Sequence, residues 1–101
     1  MLLIITTLHK KENAVAIGKG LLKEKLIVCY NLFPVESAYW WKGKLLEENE
    51  ILMLLKTNDK NFNKIEQHIK EKSGYEVPGV IAFTPDKVNG SYLDWVNFET
   101  K

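Results

Sequence analysis

The sequence predicts an α+β fold, with a four-stranded antiparallel sheet and two helices on one of its faces. Two observations carry this reading. Apolar runs with strand character alternate with segments of helical periodicity, in the order β-α-β-β-α-β. The third and second strand segments also face each other across a glycine turn, as two unusually long arms. These arms are Val28–Trp41 and Leu45–Thr57, separated by Lys42-Gly43-Lys44. Both are rich in β-branched, aromatic and large apolar residues, and both exceed the usual strand of about five or six residues.

Leu2-Leu3-Ile4-Ile5-Thr6-Thr7 is a compact apolar run and reads as a buried strand. His9-Lys10-Lys11-Glu12-Asn13 is a polar joint. Ala14, Ile17, Leu21, Leu22 and Lys25/Leu26 then recur at helical spacing, with Lys19, Lys23 and Glu24 opposite. Gly18 and Gly20 each disfavour that helix by about 1 kcal/mol relative to alanine, which implies close packing on the sheet. In the first hairpin arm Pro34 lacks a ladder donor, so an interruption or bulge is expected there. In the second arm, Glu47-Glu48-Asn49-Glu50 reads as solvated. The run Ile51–Leu55 reads as buried on both faces.

Thr57-Asn58-Asp59 offers capping side chains to a second helix. Its buried stripe is Phe62, Ile65, Ile69 and the stem of Lys72, and Ser73-Gly74 ends it. A turn at Tyr75–Gly79 leads into a short strand, Val80–Phe83. A loop at Val88–Ser91 precedes a last short helix with Tyr92, Leu93, Trp95 and Val96, for which Ser91 is a candidate cap. The whole is a ferredoxin-like split βαβ arrangement with a short C-terminal helix and a long β2-β3 hairpin, one domain over residues 1–101.

Composition narrows the function. Lys+Arg 14 against Asp+Glu 13 gives a formal charge of +1, which does not favour nucleic acid. Every cation is a lysine, so no planar guanidinium fork exists for phosphate or carboxylate. One cysteine, Cys29, fits a reducing compartment. Met1–Leu8 is too short for a signal-peptide core, and no stretch has the roughly twenty apolar residues of a membrane span. A cytoplasmic protein is expected, without nucleic-acid or membrane partners. No Ser/His/Asp or Cys/His arrangement and no glycine-rich phosphate loop is present, so a non-enzymatic role is expected.

Three separated motifs resemble the CutA divalent-cation tolerance family. The first is Val28-Cys29-Tyr30-Asn31 with Pro34, Ser37, Tyr39, Trp41 and Gly43, continuing as Glu50, Met53 and Leu55-Lys56-Thr57. The second is Tyr75-Glu76-Val77-Pro78, and the third is Gly90-Ser91-Tyr92-Leu93 with Trp95-Val96. The resemblance implies a tight homotrimer, similar in build to PII signalling proteins, and a role in divalent metal-ion tolerance or response. It also implies a divalent cation such as copper. Yet the family's usual ligand positions hold other residues here: Thr6 for cysteine, Lys72, Ser73 and Gly74 around the histidines, and Gly79 for glutamate. Copper prefers imidazole and thiolate, so weak divalent binding is expected.

Individual residues refine this picture. His9, His68 and Cys29 match no zinc or copper spacing and read as structural. Glu47, Glu48 and Glu50 offer oxygens to a hard cation, but exposed glutamates on a ribbon are more often solvated. The aromatic tip, Tyr39-Trp40-Trp41, reads chiefly as subunit contact. Lys56, Tyr75 and Glu76 are expected to meet the partner's tip residues equivalent to Tyr39 and Trp41 in an inter-subunit cleft. There the lysine would draw a small anionic ligand, as in a PII-like regulator. A structural ion pair is the alternative.

Overall fold

The computed structural model describes all residues 1–101. Strand β1 spans Leu2–Leu8, helix α1 Lys11–Lys23, strand β2 Cys29–Trp41 and strand β3 Lys44–Thr57. Helix α2 spans Phe62–Lys72, strand β4 Ile81–Phe83 and helix α3 Gly90–Glu99. The sheet order is β2-β3-β1-β4, and every neighbouring pair is antiparallel. This is the expected split βαβ arrangement: β3 lies between β1 and β2.

The hairpin is one continuous ladder from Cys29↔Lys56 to Trp41↔Lys44. Its two-residue turn, Lys42-Gly43, has φ of 50° and 78°. Positive φ at both positions is the type I′ geometry, whose twist matches that of the flanking strands. The interruption expected at Pro34 does not occur, for Pro34 pairs with Ile51 in unbroken register. β2 is an edge strand, which is where a missing N–H is tolerated. The ribbon stretches the molecule to 45 × 27 × 21 Å.

The two faces of the sheet differ. Ile4, Leu8, Met53 and Leu55 point to the helices and are buried against Ala14, Ile17, Leu21, Ile65 and Ile69. Leu52 and Leu54, on the other face, are only half-buried, so the Ile51–Leu55 run is not covered on both sides as expected. Strand alternation places Leu3, Ile5, Leu52, Leu54, Phe33, Ile81 and Phe83 on the second face. Phe33, Ile81 and Phe83 are exposed there. The helix stripes are also narrower than expected, because Leu22 and Lys72 face solvent.

Polar joints hold the rest. The Thr57-Asn58-Asp59 segment does not cap α2. Instead Thr57 Oγ1 donates to the Leu26 carbonyl (2.6 Å), and Asn58 Nδ2 donates to the Lys101 carbonyl (2.5 Å) and Thr100 Oγ1 (2.8 Å). These bonds tie the chain's C-terminal end to the α2 entrance. Ser91 likewise lies within α3 rather than capping it. His68 bonds Glu24 at 2.6 Å, joining α2 to the end of α1.

The two α1 glycines have opposite roles. A Cβ on Gly18 would sit 2.7 Å from the Tyr30 ring, whereas a Cβ on Gly20 meets nothing within 4 Å. Gly18→Ala is therefore expected to destabilise by about 1–3 kcal/mol through overpacking. Gly20→Ala should stabilise by up to about 1 kcal/mol through helix propensity. Guanidinium denaturation of both variants checks this, since an equal shift for the two would contradict the close packing of α1 on β2.

Candidate functional site

The long ladder carries the tip of the hairpin past the end of β1, where it faces the turn that follows α2. Gly74, with φ 80°, ends α2 and redirects the chain so that Tyr75 and Glu76 return toward the ribbon. The result is a cleft of about 650 Å³. One wall is Tyr39, Trp41 and Glu50 of the hairpin, and the other is His9 with Tyr75 and Glu76.

Register explains the convergence. Leu8 pairs with Ile51, so His9, one residue on, arrives beside Glu50. Ser37 pairs with Glu48 and Val35 with Glu50, so the two glutamates lie on one face of the ribbon, two residues apart. The donor atoms of His9, Glu48 and Glu50 all lie within 4.8 Å of one another. His9 Nδ1 is 3.7 Å from Glu48 Oε1. Its ring stacks on Tyr75, with centroids 4.0 Å apart and planes 28° apart.

Two phenols hold the carboxylates. Tyr39 Oη donates to Glu48 Oε1 at 2.5 Å, and Tyr75 Oη donates to Glu50 Oε2. Both phenols are harder to ionise than an ordinary tyrosine. Tyr39 is pushed up to about 12, first by its hydrogen bond to the Glu48 carboxylate, then by desolvation and by the charges of Glu48 and Glu50. Tyr75 is raised first by desolvation and then by its bond to Glu50. Glu50 itself is buried, at 7% exposure.

Tyr39, Trp41, Tyr75 and Glu76 thus share one cleft within the chain. Lys56 does not join them. It sits six residues beyond Glu50 on β3, about 20 Å away by strand rise, with Nζ 5.6 Å from the Tyr92 ring. The expected Lys56–Glu76 pairing is replaced by Lys42–Glu76, at 3.5 Å between exposed side chains. Lys42 also lies 5.4 Å above the Trp41 ring. Within the chain Lys56 lies away from this cleft, and Glu48, Glu50 and Glu76 give it an acidic character.

His9, Glu48 and Glu50 read as structural or solvated in the sequence, and the structure brings them together. The available signal was indirect: pairing the apolar runs of β1 and β3 places His9 beside the glutamates. The family's usual ligand positions contribute nothing equivalent. The Thr6 side chain faces the core, its hydroxyl buried without a partner. The Ser73 hydroxyl accepts from the Tyr75 N–H, and Lys72 is exposed. The donor set that does exist is one imidazole and two carboxylates, which fits a divalent cation.

Comparison with known proteins agrees with the fold and the motifs. Residues 2–99 match the model of the CutA1 divalent ion tolerance protein family. The divalent-cation tolerance protein CutA of Pyrococcus horikoshii is 41% identical over 101 residues, covering 100% of this chain and 99% of that protein. The crystal structure of CutA1 from that organism superposes with a TM-score of 0.94 at 40% identity, covering 100% of this chain and 99% of that one. A structure from Archaeoglobus fulgidus, described as the periplasmic divalent cation tolerance protein CutA, has a TM-score of 0.96 at 31% identity, with both chains fully covered.

The raised tyrosines set the alkaline behaviour. For Tyr39 the folded value near 12 exceeds the unfolded value near 10. Its contribution to stability is complete below pH 10 and is lost as pH rises through 12. Ultraviolet titration of tyrosinate should show a component near pH 12 that disappears in Tyr39→Phe. In Glu48→Gln that component should move down toward 10; an unmoved midpoint would show that Glu48 is not its cause.

Proposed function

Because the chain belongs to the CutA1 divalent ion tolerance family, we propose that it is a homotrimeric divalent-cation tolerance protein acting by binding rather than by turnover. The observation that carries the binding role is the acidic cleft, where a histidine and two glutamates converge. Cations are drawn to such a cleft and anions repelled. The lone free thiol, Cys29, suits a reducing compartment such as the cytoplasm, whereas the Archaeoglobus relative is described as periplasmic.

The trimer rests on the second face of the sheet. Leu3, Ile5, Leu52 and Leu54, with the exposed Phe33, Ile81 and Phe83, form an apolar surface. Helices α1 and α2 pack on the opposite face, and α3 reaches only the Lys56 end of β3. A contiguous apolar surface of this kind is characteristic of a subunit interface. β2 adds a thirteen-residue edge strand, and Trp40 and Leu45 project outward near the tip, 72% and 57% exposed. Edges of this length invite pairing, and a closed ring of subunits removes them without open-ended growth.

Native mass spectrometry at micromolar concentration should give a species three times the 11.7 kDa chain. Phe33→Glu and Phe83→Glu each place a charge on the proposed interface and should shift the population to monomer, as a buried unpaired charge commonly costs about 3 kcal/mol or more. Monomeric wild-type protein would overturn the assembly. In a host lacking its own family member, expression should restore growth on elevated copper or zinc; unchanged sensitivity would count against the tolerance role.

A further inference from the structure

We propose that His9, Glu48 and Glu50 form a binding site for a borderline first-row divalent cation, with zinc the best match, oriented by Tyr39 and Tyr75. The proposal rests on the cation-binding reading above and assigns its ligands.

Three features point to a cation rather than to a solvated acidic patch. The first is charge uncompensated within the subunit. Glu50 is buried, at 7% exposure, and its neighbour Glu48 shares the same face, yet no lysine of the same subunit pairs with either carboxylate. Buried carboxylates are ordinarily paired or bound to a metal. The hydrogen bond from Tyr75 engages Glu50 Oε2 and brings no positive charge. Oε1 is left for a cation.

The second feature is donor chemistry. One imidazole and two carboxylates make a mixed nitrogen–oxygen set, suited to zinc and its first-row neighbours. Magnesium and calcium favour oxygen ligands throughout. Cuprous copper favours sulfur, and Cys29 lies at the opposite end of the hairpin, paired with Lys56.

The third is geometry. Zinc–ligand bonds of roughly 2.0–2.2 Å place tetrahedral ligand atoms about 3.4 Å apart. His9 Nδ1 and Glu48 Oε1 are already 3.7 Å apart, and all three donors lie within 4.8 Å. His9 and Glu50 line the cleft, so water or a further ligand can reach the site. The Tyr75 ring fixes the plane of His9, while the two phenol donors hold the carboxylates, the usual role of groups behind metal ligands.

The test uses the full chain stripped with a chelator. Calorimetric titration with zinc chloride should give one zinc per chain, and cobalt(II) chloride should produce visible d–d absorption. His9→Gln and Glu50→Gln are each expected to weaken zinc binding at least about tenfold and to alter or abolish the cobalt spectrum. His68→Gln, which removes the other His–Glu contact, should leave both unchanged. Magnesium chloride at the same concentration should give no saturable binding. Melting curves without metal report folding, and His9, being exposed, keeps the test decisive if Glu50→Gln misfolds. Absence of zinc binding, wild-type zinc titrations in the His9 variant, or equal binding of magnesium would each overturn the site. Loss of the site in an intact trimer would leave the assembly reading standing, and a monomer that binds zinc through His9 would do the reverse.

Discussion

The antiparallel register between β2 and β3 is the constraint on which the rest of the molecule depends. It runs without a bulge from Cys29↔Lys56 to Trp41↔Lys44 and closes in a two-residue turn. Because side chains alternate with a period of two, a slip of one residue would exchange the faces of every position along it. The present register puts Met53 and Leu55 into the core, and it puts Leu52, Leu54, Glu50 and Glu48 on the other side. The core, the apolar second face and the acidic cleft all follow from this one alignment. The type I′ turn helps to fix it, since Lys42 and Gly43 leave no room for an alternative loop length.

The chain buries one face of its sheet with its own helices and leaves the other open, a surface that the assembly proposed above would cover. That division accounts for features which look inconsistent in an isolated subunit. Ile51–Leu55 has the composition of a fully buried strand, yet Leu52 and Leu54 on the second face are only partly covered. Phe33, Ile81 and Phe83 are exposed on a protein of ordinary apolar content. Gly18 belongs to the same logic on the helix side. Its missing side chain lets α1 settle on the Tyr30 ring, so the covered face is packed closely while the other remains open.

The cleft is electrostatically unusual for a chain of near-neutral charge. Its lysines are dispersed over the surface, and the one beside the cleft, Lys42, is engaged by Glu76 and lies over Trp41. Glu48 and Glu50 are left with phenols and an imidazole for company. A neutral phenol satisfies a lone pair but does not neutralise a charge; the bond to Glu48 chiefly makes Tyr39 hold its proton more firmly than usual, while Tyr75 does so first through desolvation and then through its bond to Glu50.

Local chemistry determined much of the fold in advance. Apolar periodicity marked the elements, the glycine turn marked the hairpin, and the motifs around Tyr39, Tyr75 and Trp95 marked the family, because each depends on residues close in sequence. Tyr39, Trp41, Tyr75 and Glu76 stand at strand ends and turns, and they line one cleft of the chain. Only the tertiary structure decided that Pro34 stays in the ladder, since that depends on β2 being an edge. It alone removed Lys56 from the cleft and put Lys42 there, because a strand's length carries its two ends apart. It alone joined His9 to Glu48 and Glu50, residues some forty positions apart. Their proximity is set by the pairing of β1 with β3, a long-range register that no local pattern around His9 encodes.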